Sequence, residues 1–131
     1  MDSVGDHKTP IGELKAAIDA FNTERNWRRF FSPKNLAMSI TIEAAELMEV
    51  FQWVDNDAAM ARAIAGPHRD RMAEELADVL IYCLTLAQVM DLDVSTIIRQ
   101  KIAANARKYP PDRSDPLDRL RADDSLTEHN S

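Results

Sequence analysis

The chain has 131 residues, one domain's worth and enough to bury a core. Its net charge of −6, from 22 acidic and 16 basic residues, excludes a duplex nucleic-acid binder, which needs a basic face. Only three glycines and a large share of Ala, Leu, Ile and Met point to an all-α fold, since sheet proteins use more turn, β-branched and aromatic residues.

The lone cysteine, Cys83, rules out an intramolecular disulfide and suits a reducing cytoplasm. Set in an apolar helical run, it reads as core filler rather than as a nucleophile. Residues 1–12 show no signal-peptide pattern, and the apolar run at 79–90 is shorter than the about 20 residues that span a bilayer. A soluble cytoplasmic protein with no membrane partner is the expectation.

In chain order, residues 1–8 are polar and expected to be flexible. Thr9-Pro10 has the form of a helix cap followed by proline at the first helical position. The first helix carries Leu14, Ala17, Ile18 and Phe21 on one face and fades near Asn26. A short aromatic and basic loop follows, Asn26-Trp27-Arg28-Arg29-Phe30-Phe31, an arrangement suited to touching a flat ligand or a partner. Ser32-Pro33 opens a second helix, expected to run to Trp53. One or two further turns at 58–65 end at Gly66-Pro67.

A long helix from His68 to Met90 comes next. Its second half is apolar nearly all round, more than one subunit of this size can cover, which favours a helical oligomer. Asp93 is placed to cap a last helix from Val94 to Lys108, stopped by Tyr109-Pro110-Pro111. The division expected is a domain at 9–110 between the flexible start and a polar, disordered tail at 111–131, where Leu117 and Leu120 are the exceptions.

The chemistry lies in two acidic segments. At about 100° per residue, Glu43 and Glu46 share a helix face, with Glu49 rotated round it and Trp53 back near the line of Glu46. On the long helix Glu75, Asp78 and Tyr82 form a stripe, and on the last helix Lys101, Asn105 and Lys108 form another. Carboxylates inside apolar runs repel one another unless a cation joins them. None of His7, His68 and His129 lies three residues after a glutamate, so the Glu-x-x-His pairs of di-iron bundles are missing. An all-oxygen donor set points to Mg²⁺, with Mn²⁺ as a substitute, and the lysines would cover phosphate charge the metal leaves. A competing reading is a non-catalytic helical oligomeric interaction protein that docks its acidic faces on a basic partner.

The ordered set of motifs resembles the all-α nucleoside triphosphate pyrophosphatases, the MazG-like group, and within it the dCTP pyrophosphatase branch. The residues concerned are Phe21-x-x-x-Arg25-x-Trp27, Pro33-x-Asn35-Leu36, Glu43-x-x-Glu46-Leu47-x-Glu49-x-Phe51-Gln52-Trp53, Glu75-Leu76-x-Asp78-Val79-Leu80-Ile81-Tyr82 and Asn105-x-x-x-Tyr109-Pro110. The resemblance implies a MazG-like helical bundle with a four-helix core, working as a homodimer or homotetramer through its apolar helices. It implies cleavage of a nucleoside triphosphate to the monophosphate and pyrophosphate, with dCTP or a modified pyrimidine nucleotide as substrate in nucleotide-pool house-cleaning. Glu43, Glu46, Glu75 and Asp78 would bind Mg²⁺. Glu46 or Glu49 would take a proton from the attacking water. Tyr82, Lys101, Asn105, Lys108 and Tyr109 would contact phosphate or sugar, and Trp27 and Trp53 would flank the base.

Two positions depart from the pattern. The broader motif begins with paired glutamates where this chain has Ile42-Glu43, a feature the dCTP branch tolerates. Ile18 stands where mammalian-type enzymes of that branch carry a histidine near the base.

Overall fold

A computed structural model describes residues 4–111; the expectations for residues 1–3 and 112–131 lie outside the described residues. The described residues contain five α-helices and no strand, in agreement with the all-α expectation: α1 (Ile11–Glu24), α2 (Pro33–Glu49), α3 (Asn56–Ala63), α4 (Gly66–Val89) and α5 (Val94–Lys108). A single 3₁₀ turn, Arg28–Phe30, lies between α1 and α2. The chain falls into two compact units, Met1–Val94 and Ser95–Ser131. No single helix among the described residues is long and apolar enough to cross a membrane.

The first unit is built around α4, which packs most extensively on α2 and also against α1 and α3. Leu36 at the start of α2 is fully buried, with Val50 and Ala87 the other buried apolar side chains among the described residues. Fully burying one leucine contributes about 1.5–3 kcal/mol, so this core is small for the chain that surrounds it. Large apolar residues are left outside instead: Met38, Ile42 and Met48 on α2, and Leu76 and Leu80 on α4.

Helix ends decide where the aromatic loop goes. α1 begins one residue later than expected, with Pro10 at the cap; its carbonyl accepts from Glu13 N–H at 3.0 Å. Thr9 does not cap, because its backbone is drawn into the preceding turn, Thr9 N–H donating to the Gly5 carbonyl at 2.9 Å. At the other end Asn26 adopts φ 54°, a left-handed conformation that asparagine tolerates. Trp27 N–H then reaches back to the Asn22 carbonyl and Asn26 N–H to the Thr23 carbonyl, both at 3.0 Å, a Schellman closure. The chain turns back on α1 and lays Trp27 beside Phe21. α4 closes in the same way, with Asp91 at φ 51° and Leu92 N–H donating to the Ala87 carbonyl at 2.8 Å.

Ser32 caps α2 as its sequence predicts, its hydroxyl accepting from Asn35 N–H at 3.1 Å with Pro33 at the first position. The helix ends at Glu49 rather than at Trp53. Val50 N–H donates to the Leu47 carbonyl and Phe51 N–H to the Met48 carbonyl, three-residue spacings that tighten the last turn as Val50 turns into the core. Trp53 therefore sits on a turn and does not continue the Glu46 face. α3 starts earlier than expected because the Asp55 carboxylate accepts from Ala58 N–H at 2.8 Å. α4 opens on Gly66, two residues before the His68 expected from sequence, at φ 46°, a backbone open to glycine, and Pro67 follows in its first turn.

Candidate functional site

α2 and α4 together bring the two acidic segments to one place. Glu43, Glu75 and Asp78 each offer a carboxylate oxygen, and these oxygens lie within 4.8 Å of one another. Glu46, one turn after Glu43 on α2, borders the trio and lies close enough to shift both Glu43 and Glu75. Glu43 is raised from the ordinary carboxylate value by burial first, then by Glu46 beside it and by the charges of Asp78 and Glu75. Glu75 is raised by burial and by Glu46, with Arg71 pulling the other way. Among the described residues, four acids with the Arg71 guanidinium nearby form a site short of positive charge, and an all-oxygen donor set suits a hard divalent cation.

Beside the acids lies a cavity of about 420 Å³. Ile18, Phe21 and Asn22 of α1 form one wall, Trp27 and Phe31 the connection above it, and Asp78, Ile81, Tyr82 and Thr85 of α4 the other wall. Phe21 and Trp27 meet edge to face at 5.6 Å and 74°, and the Arg25 guanidinium covers the Phe21 ring at 3.6 Å. Phe31 and Tyr82 meet at 6.5 Å and 88°. The Schellman closure of α1 places Trp27, and an Asp19–Arg28 ion pair ties the 3₁₀ turn back to α1. The slot can take a flat ring between aromatic walls, and Asp78 belongs to both the slot and the carboxylate trio.

A sequence profile of the MazG-like family matches residues 38–119, more than half of the chain. The chain belongs to the MazG-like family. This MazG-like chain is similar to dCTP pyrophosphatase 1 of Bos taurus and of Homo sapiens, each 36% identical over 100 residues, which is 76% of this chain and 59% of the relative. It thus spans about three fifths of the length of these curated relatives. It is also similar to a pyrophosphatase from Archaeoglobus fulgidus whose crystal structure superposes with a TM-score of 0.73 at 37% identity, covering 82% of this chain and 99% of that one.

The MazG-like fold treats the residues expected from sequence unequally. Glu43, Glu46, Glu75 and Asp78 come together, and Trp27 and Tyr82 line the slot beside them. Glu49 points to Arg71, its carboxylate 3.7 Å from that guanidinium. Trp53 is 88% exposed and is not among the residues lining the slot. Lys101, Asn105 and Lys108 share a face of α5 in the second unit, where the Lys108 ammonium lies 5.3 Å from the Tyr109 ring centre and Tyr109 N–H donates to the Asn105 carbonyl at 2.8 Å. Cys83 is half-buried, and burial pushes its thiol up, as expected of a packing residue.

Phe31 belongs to the aromatic loop singled out in the sequence, and three contributors escaped the sequence reading: Asn22, Arg71 and Thr85. Arg71 could have been found, because it precedes Glu75 by four residues and so shares its face. Asn22 follows Ile18 by the same spacing and is the polar member of an apolar face.

Proposed function

We propose that this chain is a Mg²⁺-dependent nucleoside triphosphate pyrophosphohydrolase of the cytoplasm. It would cleave a (d)NTP to the monophosphate and pyrophosphate, with dCTP or a modified pyrimidine deoxynucleotide as substrate. The observation that carries this reading is the double membership of Asp78, which joins an aromatic slot fit for a base to a carboxylate cluster fit for a cation. The names of the relatives, dCTP pyrophosphatase 1 and pyrophosphatase, support the same chemistry.

Glu43, Glu46, Glu75 and Asp78 would hold Mg²⁺, with Mn²⁺ as a substitute. When bound, the cation screens phosphate charge and makes a bound water more acidic. The rest falls to the protein. Trp27 and Phe21 would flank the base, and Tyr82 would face the sugar. Lys101, Asn105, Lys108 and Tyr109 of α5 would bind phosphate or sugar, stabilising charge that grows on the leaving pyrophosphate. Between the two candidate bases, Glu46 is better suited to accept the water's proton, since it borders the trio while Glu49 is engaged by Arg71.

A second copy of the chain belongs to this reading, as a homodimer or homotetramer. Ile42 is 56% and Leu80 52% exposed on the helices that form the first unit's main interface, and Ile102 on α5 is 62% exposed. Apolar surface on this scale is covered in a stable protein. Trp53, nearly wholly exposed, gains a role only where a partner or ligand reaches it. Sedimentation equilibrium should give at least twice the mass of one chain at micromolar concentration; a monomer would remove this part of the proposal.

The decisive test is pyrophosphate release from dCTP, 5-substituted dCTPs, dUTP, dTTP and the purine triphosphates, with and without Mg²⁺. Release that needs Mg²⁺ and favours pyrimidines is expected. No pyrophosphate from any nucleotide, together with no Mg²⁺ binding in calorimetry, would leave the helical interaction protein as the better account.

A further inference from the structure

We infer that Asn22 reads the exocyclic amino group of the base, and that it makes the slot select amino-bearing cytosines over uracil and thymine. The inference rests on the pyrophosphohydrolase reading above and extends it to the base.

Asn22 is a polar side chain only 5% exposed, on the wall of a cavity that is otherwise mainly apolar. Its backbone carbonyl is already engaged, accepting from Trp27 N–H at 3.0 Å, so its amide is what the cavity meets. A buried amide is retained at a cost unless it finds partners. Asn22 also borders a second, smaller cavity of about 210 Å³, lined on its far side by Asp19 and Arg28. Thr85 and Phe31 border both cavities as well, so Asn22, Thr85 and the Phe31 ring form the partition between them, with Asn22 and Thr85 its polar side chains.

The neighbours of an amide decide which way round it sits. The Thr85 hydroxyl donates its one proton to the Ile81 carbonyl at 2.8 Å, so toward Asn22 it can only accept. Asp19, on the smaller cavity, is a carboxylate and also only accepts. Acceptors on the partition and behind it favour the orientation that turns the Asn22 NH₂ group towards them. The Asn22 carbonyl is then presented to the slot, where it accepts a hydrogen bond and repels another carbonyl.

The position along the slot agrees. Thr85 follows Asp78 by seven residues, about two turns or roughly 10 Å along α4. With the phosphates at the Asp78 end, the N1 of a pyrimidine faces that end through its ribose, and C4 lies across the ring from N1. The C4 substituent is an amino group in cytosine and a carbonyl in uracil and thymine. A carbonyl at Asn22 accepts from the first and clashes electrostatically with the second. The 5-position takes no part in this contact, so 5-substituted cytosines pass the same filter.

The experiment has an affinity arm and a kinetic arm. Binding of dCMP and dUMP is measured by calorimetry without metal, and kcat/KM for dCTP and dUTP with Mg²⁺, on the natural chain and on Asn22→Ala. The natural chain should favour cytosine by about tenfold or more in both arms, the size expected when a site built to hydrogen-bond one group meets its opposite. Asn22→Ala should bring both ratios to within about threefold of one, through weaker dCMP binding and a higher KM for dCTP, with the far-UV spectrum unchanged. Thr85→Val gives a second route that leaves Asn22 in place: with one of the two acceptors gone the amide is held less firmly, and dUMP should gain affinity relative to dCMP.

Pyrophosphate release without any cytosine preference would overturn this inference and leave the pyrophosphohydrolase reading standing. So would a preference that survives in Asn22→Ala. If Asn22→Ala does not fold, an unchanged dCMP to dUMP ratio in Thr85→Val overturns it. No nucleotide bound or cleaved by the natural chain would overturn both readings.

Discussion

Asp78→Ala is expected to lower kcat/KM by at least roughly a thousandfold while the protein stays folded. Losing only an outer-shell partner of a metal costs about 10–100-fold, and Asp78 is placed in the carboxylate trio itself. The same side chain lines the slot, so its removal disturbs the joint between base and phosphates as well as the cation. Stability should move the other way. Asp78 adds to the repulsion that raises both Glu43 and Glu75, and alanine is the better helix former within α4. Without Mg²⁺, Asp78→Ala should therefore melt no lower than the natural chain by circular dichroism. Turnover above about a tenth of normal would remove Asp78 from the site; lost turnover with a lower metal-free melting temperature would make its role structural.

How far the site is legible in sequence depends on whether a residue's partners are near it in the chain. Glu43 with Glu46 and Glu75 with Asp78 stand out because each pair sits three apart in an apolar run, and a charge there needs an explanation that helix geometry supplies. Ser32-Pro33 marks the start of α2 because capping is local chemistry. The end of α2 is hidden for the opposite reason. Val50, Phe51 and Trp53 continue a helical pattern, and the turn arises only when Val50 is drawn into a core formed by other helices. Thr9 had the right side chain for a cap and lost the position to Pro10 once Gly5 claimed its backbone. Asn22 carries only a faint mark in sequence, a polar residue on the apolar face of the first helix. Its burial follows from α1 packing on α4, and its neighbour Thr85 lies 63 residues further on.

Mg²⁺ should raise the melting temperature near neutral pH and lose that effect in mild acid. At a hundredfold excess over its Kd, a ligand confined to the folded state contributes about 2.7 kcal/mol. In a chain of this size that is a rise of roughly 5–10 °C. The pH dependence follows from the direction of the two shifted carboxyls. Glu43 and Glu75 are raised in the folded, metal-free protein, chiefly by burial and by Glu46, so the folded state holds protons that the unfolded chain has released. Their contribution to stability is therefore fully present below the unfolded carboxyl range and is lost as pH rises through the raised values. Without metal, this contribution makes the protein more stable towards pH 5 than at pH 7.5. With metal the order reverses, because the cation needs these groups ionised and competes with the proton for the same oxygens. The increment from Mg²⁺ should be large at pH 7.5, small at pH 5, and absent at both in Asp78→Ala. Thermal melts at the two pH values, with EDTA or with Mg²⁺, measure it directly. An increment equal at both, or one that survives in Asp78→Ala, would place the cation somewhere other than among these four carboxylates.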